Sequence, residues 1–167
     1  MLRKLGAGVV EVRKPEQLAG LDGLVVPGGE STAFMRLMSL YGLDEAILAF
    51  EGPVFGTCAG MIVLDRDHLG LVELSVRRNA FGRQVASFET DLDVAGFDRP
   101  LRAVFIRAPW IDEAGPDVEV LAEVEGHPVL ARERRFLVAA FHPELTDDSR
   151  LHELFLESVR EAALVRA

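Results

Sequence analysis

Cysteine is nearly absent: Cys58 is the only one in 167 residues. One thiol cannot close an internal disulfide, so a reducing, cytoplasmic setting is the expectation. Lysine is almost as scarce, with Lys4 and Lys14 alone, and arginine supplies the other fixed positive charges. The net charge is −9, which disfavours nucleic acid and anionic membrane as partners. No apolar run approaches the ~20 residues of a membrane-spanning helix, and no secretory-signal pattern is read at the start. Repeats, low-complexity stretches and linkers are missing too. One domain over residues 1–167 is therefore expected.

What is present suits a folded domain. Hydrophobic residues make up 49% and charged residues 27%, as in ordinary globular proteins. A chain of this length buries roughly two-thirds of its unfolded surface. "GVVEV" (Gly8 to Val12), "GLVV" (Gly23 to Val26) and "PVFG" (Pro53 to Gly56) read as strands. Phe34, Leu37, Met38 and Tyr41 fall on one helical face, and "AGMIVL" reads as the start of a buried helix. Strands alternating with helices predict an α/β fold with a parallel sheet covered on both faces. The middle of the chain changes character. "LVELSV", "QVASFET", "AVFIRA", "VEVLAEV", "PVLARE" and "RFLVAAF" are strand-like with turns between them, which predicts mixed or antiparallel pairing. A helix from about Ser149, capped by Asp148 or Ser149, closes the chain.

Cys58 sits in G-T-C-A-G between a strand and a helix. The same spacing with serine is the nucleophile elbow of hydrolases. Gly56 and Gly60 allow close backbone approach, and the following helix favours thiolate over thiol. The other reading is a buried structural cysteine; the elbow spacing favours a nucleophile. A thiol nucleophile needs a base, and the base needs an orienter. "AAFHPEL" offers both. Pro143 pushes His142 into extended backbone, and residues two apart in such backbone share a side, so His142 and Glu144 project together. His68, His127 and His152 read as solvated side chains. In "VVPGGEST", Gly28 and Gly29 follow a strand directly, and their backbone N–H groups could face an oxyanion. A plain strand-to-helix turn is the simpler account of those glycines taken alone. Arg78 and Arg107 suit a carboxylate ligand, because guanidinium pairs with carboxylate in two-pronged fashion. Taken alone they read rather as surface ion-pair partners of the many acidic residues.

"PGGEST", "FGTCAG", "RRNAFGRQVASFE", "VFIRAP" and "FHPELT", in this order, resemble the glutaminase subunit family of pyridoxal phosphate synthase, within the class I (triad) glutamine amidotransferases. The resemblance runs from about Val10 to about Val159. It implies a three-layer, flavodoxin-like α/β fold with a mixed, mainly parallel central sheet. It implies Cys58 as nucleophile, His142 as general base and acid, and Glu144 as orienter. Gly28 and Gly29 become the oxyanion loop. Gly29, Glu30 and Ser31 match a glutamine-binding loop, and Arg78, Ile106 and Arg107 match further glutamine-binding positions. The implied reaction hydrolyses L-glutamine to glutamate and ammonia through a glutamyl thioester, with no metal or organic cofactor. The implied partner is a barrel-shaped synthase subunit in a hetero-oligomer. It receives the ammonia, combines it with a pentose phosphate and a triose phosphate, and activates the glutaminase on docking. Two other readings stand beside this one: a related cysteine hydrolase of γ-glutamyl compounds, and an inactive subunit that only binds.

The family's chains begin with an apolar strand, an "LQG"-like turn and a helix. Here "MLRKLGAG" resembles the tail of that helix, and the strand before it has no counterpart. The expectation is a domain shortened at its N-terminus, through a start that lies upstream or by completion from another chain. An unpaired strand edge and exposed apolar surface should follow. "LDRDHLGL" (Leu64 to Leu71) also looks shorter than usual.

Overall fold

A computed structural model describes residues 1–81 and 87–166, the last of these by its backbone alone. In chain order the described elements are β1 (Leu24–Val26), α1 (Ser31–Tyr41), α2 (Leu43–Leu48), β2 (Val54–Thr57), α3 (Ala59–Leu64), β3 (Leu74–Arg77), β4 (Ser87–Leu92), β5 (Leu101–Ile106), β6 (Trp110–Ala114), β7 (Glu119–Val124), β8 (His127–Glu133), β9 (Phe136–Ala139) and α4 (Arg150–Arg166). Short 3-10 turns form at Leu2–Leu5, Pro15–Leu18 and Pro143–Leu145. The first three residues of "QVASFET" and the "GRQ" of "RNAFGRQ" lie outside the described residues.

Five strands make the central sheet in the order β1-β2-β9-β8-β7. β1, β2 and β9 run parallel, and β8 and β7 add antiparallel neighbours. The sheet is therefore mixed, and its parallel part carries the loops that matter below. Two further ribbons, β3 with β6 and β4 with β5, are antiparallel. Every residue of β2 and β9 is buried, as expected where helices cover both faces. Alternation along β2 shows the two layers. Phe55 packs its ring against Phe155 of α4 at 5.7 Å. The next residue, Gly56, faces Leu64 and Gly60 of α3. Successive strand residues point to opposite sides, so α3 and α4 cover opposite faces. All six residues of α3 are buried, which explains why no polar stripe marks it in the sequence.

Two local expectations are corrected, and one strand is added. Gly8–Val12 is not a strand. Among the described residues no strand lies beside it to pair with, and Val10 is 55% exposed; valine content alone does not make a strand. The helical face Phe34, Leu37, Met38, Tyr41 is real in period but only partly covered. Met38 is buried, whereas Leu37 and Tyr41 are exposed. β6, "WIDEA", goes unread in the sequence because three of its five residues face solvent. β1 is an edge strand of its sheet. Along its free side runs a cavity of about 780 Å³, lined among others by Val9, Val12, Leu18, Val25, Met38 and Phe155.

Candidate active site

Cys58 occupies the junction between β2 and α3 with φ 49° and ψ −107°. A non-glycine residue in such a conformation costs roughly 1–3 kcal/mol and persists only when its surroundings enforce it. Here the Cys58 N–H donates to the Ala139 carbonyl at 2.7 Å, tying the turn to the end of β9. Close packing does the rest. A Cβ on Gly60 would lie 1.9 Å from the Val26 carbonyl oxygen, so α3 presses on the end of β1. A Cβ on Gly28 would lie 2.5 Å from His142 Cε1 and 3.2 Å from Cys58 Cβ. The glycine loop is thus the wall against which thiol and imidazole rest.

His142 follows β9 by three residues, and its N–H donates to the Val104 carbonyl at 2.9 Å. Its Nδ1 lies 2.8 Å from Glu144 Oε1. The pairing expected from the sequence is present, but by a different route: Pro143 and Glu144 belong to a 3-10 turn rather than to extended backbone. Contact with Cys58, then with Glu144, pushes the His142 pKa up to about 10 against the opposing effect of burial. Burial is the largest single influence and raises the Glu144 carboxyl, but the hydrogen bond from His142, a backbone hydrogen bond and the charges of His142 and His152 together outweigh it and leave a net lowering. At neutral pH the pair is imidazolium and carboxylate.

Cys58 and His142 open onto a cavity of about 420 Å³. Gly29, Glu30, Ser31, Arg78, Ile106 and Arg107 line it too. Gly28 and Glu144 stand just behind, against His142. The ten residues singled out in the sequence therefore converge. Two details differ from a simple reading. The Glu30 carboxylate accepts from the N–H groups of Thr32 and Ala33 at 3.1 and 2.7 Å, so it caps α1; those bonds, that of Ala33 first, hold its pKa below the usual range. Arg78 is steadied by Thr32 Oγ1 at 3.2 Å and by Glu30 at 3.9 Å. Thr32 escapes a sequence reading, because its role depends on a residue 46 positions away.

Strain gathers at this cavity. Of the five described non-glycine residues with positive φ, Cys58, Asn79 and Arg107 line it. Of the other histidines, His68 is exposed, as read, whereas His152 departs from the solvated reading and His127 is half-buried. His152 is buried on α4, edge-on to Phe55, with its pKa lowered by burial. His127 stacks on Trp110 at 3.6 Å. His68 pairs with the buried Asp65 at 2.7 Å.

The profile of the SNO glutamine amidotransferase family matches residues 1–161. The chain belongs to this family. Relatives agree with the assignment. The "Pyridoxal 5'-phosphate synthase subunit PdxT" of Niallia circulans is 57% identical over 94% of this chain and 87% of its own. The protein of the same name from Thermosipho africanus is 52% identical over 96% and 91%. A crystal structure of a glutamine amidotransferase superposes with a TM-score of 0.89 at 46% identity, over 95% of this chain and 89% of its own. A Thermoplasma acidophilum protein, described as part of a GMP synthase, shares the fold at 20% identity, with a TM-score of 0.75 over 99% and 86%. The fold is the class I glutamine amidotransferase-like α/β arrangement. The chain is a glutamine amidotransferase by family. Among the described residues no helix is long and apolar enough to cross a membrane.

Proposed function

We propose that this chain, as one domain over residues 1–167, hydrolyses L-glutamine to glutamate and ammonia. The ammonia passes to a pyridoxal phosphate synthase subunit that joins it to a pentose phosphate and a triose phosphate. The observation that carries the reading is the convergence of Cys58 and His142 at one cavity that Arg78 and Arg107 also line, with Glu144 paired to His142. The synthase partner is supported by the names of the relatives.

The Cys58 thiolate attacks the side-chain amide carbon of glutamine, and the carbon–oxygen π electrons move onto oxygen. Amides near that oxygen stabilise the charge. The Cys58 N–H is already committed to Ala139, so the donors are the following amide, Ala59, and that of Gly29. Neither has an acceptor among the described residues. The imidazolium of His142 gives its proton to the amide nitrogen, the carbon–nitrogen bond breaks, and ammonia leaves a glutamyl thioester. Water then attacks the thioester while His142 takes its proton. Glutamate departs and the thiolate is restored. Glu144 holds the ring in the tautomer this requires and favours its protonated form. Arg78 and Arg107 take the α-carboxylate of the substrate.

The reading is tested by ammonia release with the synthase subunit present. Glutamine should support it, and other γ-glutamyl amides should not. Equal rates on both would favour a general γ-glutamyl hydrolase.

A further inference from the structure

We propose that Asn79 is a specificity-determining residue that accepts a hydrogen bond from the α-ammonium group of the amino-acid substrate. The assignment rests on the glutaminase reading above and extends it to a residue that reading leaves without a role. Asn79 lines the cavity next to Arg78, with Glu30 and Arg107 also in the lining. It has φ 48°, one of three positive-φ side chains at this cavity among the described residues. The other two, Cys58 and Arg107, have roles in attack and in carboxylate binding. The next residue, Ala80, donates its N–H to the Ala108 carbonyl at 3.1 Å. That bond pins the loop carrying Asn79 to the loop carrying Arg107, so both are aimed at the same space.

The charge inventory points to the ammonium end. A zwitterionic α-amino acid needs donors for its carboxylate and acceptors for its ammonium. Donors are plentiful, from Arg78 and Arg107. Acceptors are few. The Glu30 carboxylate already takes two backbone N–H groups and faces Arg78. The Asn79 side-chain amide has no hydrogen bond among the described residues, and its oxygen is a ready acceptor. A left-handed backbone favours glycine, asparagine or aspartate. Asparagine is one of the two that also supply an oxygen.

Steady-state kinetics of the full chain with its synthase partner test this, on glutamine and on its analogue lacking the α-amino group. Asn79→Gly keeps the backbone and removes the amide. It should raise KM for glutamine about tenfold, as for one hydrogen bond to a charged group. kcat should hold within about threefold, and KM for the deamino analogue should not change. Asn79→Asp restores an acceptor and should keep KM for glutamine near wild type. An Asn79→Gly variant with wild-type KM for glutamine overturns the assignment, as does an equal rise on both substrates. So does an Asn79→Asp variant as impaired as the glycine variant. A wild-type chain that releases no ammonia from glutamine overturns the glutaminase reading itself, a result distinct from any of these.

Discussion

Gly28→Ala should abolish most activity while leaving the fold standing. The added Cβ would sit 2.5 Å from His142 Cε1 and 3.2 Å from Cys58 Cβ. Carbon atoms rest at about 3.5–4.0 Å, so the imidazole must retreat by about 1 Å. It cannot do so without stretching its 2.8 Å bond to Glu144. A displacement of about 1 Å in a catalytic group costs on the order of 100-fold in rate, or about 2.7 kcal/mol of barrier. Stability should fall far less. Overpacking costs about 1–3 kcal/mol, part of it offset by the loss of unfolded-chain freedom when glycine becomes alanine, about 0.4–1 kcal/mol. The melting temperature should drop by a few degrees. Gly60→Ala is the control: its Cβ would meet the Val26 carbonyl at 1.9 Å, backbone against backbone, and the variant should lose its fold. Ammonia release and circular-dichroism melts measure both. A Gly28→Ala variant within threefold of the wild-type rate would refute the claim that this loop sets the thiol–imidazole geometry.

Three further outcomes follow from the same geometry. The His142 pKa is raised from 6.5 to about 10, so its stabilising contribution is full below about pH 6.5 and lost as pH rises through about 10. Urea midpoints should fall between pH 7 and 10, and a His142→Ala variant should show a shallower fall. Arg78→Lys keeps the charge but loses the fork; KM for glutamine should rise about tenfold with kcat little changed. Thr32→Val removes the 3.2 Å bond that steadies Arg78. A bond of this kind is worth about 1 kcal/mol, so KM should rise about fivefold, and Thr32→Val should add little to an Arg78→Lys background.

The chemistry of this chain is more legible in its sequence than its packing. G-T-C-A-G announces a tight turn because only small residues let α3 press on the sheet, and Gly60 against Val26 shows how tightly. His142 and Glu144 are two apart, and the turn at Pro143–Leu145 brings their side chains together as extended backbone would have done, so even the wrong backbone assumption leads to the right pair. Residues whose roles come from distant partners are not legible. Thr32 matters only because Arg78 comes to lie over it, and His152 is buried only because α4 lays it on Phe55. Gly8–Val12 misleads because valine content reports strand preference but not whether a neighbour is there to pair. β6 escapes because a half-exposed ribbon with acidic residues lacks the apolar pattern of a core strand.

The most direct test uses the single thiol. An electrophilic glutamine analogue, incubated with the chain and its synthase partner, should add one adduct by intact mass, mapped by peptide sequencing to Cys58. Excess glutamine should slow the addition, and Cys58→Ala should neither label nor release ammonia. No adduct at Cys58, or a Cys58→Ala variant that hydrolyses glutamine at the wild-type rate, would contradict the account.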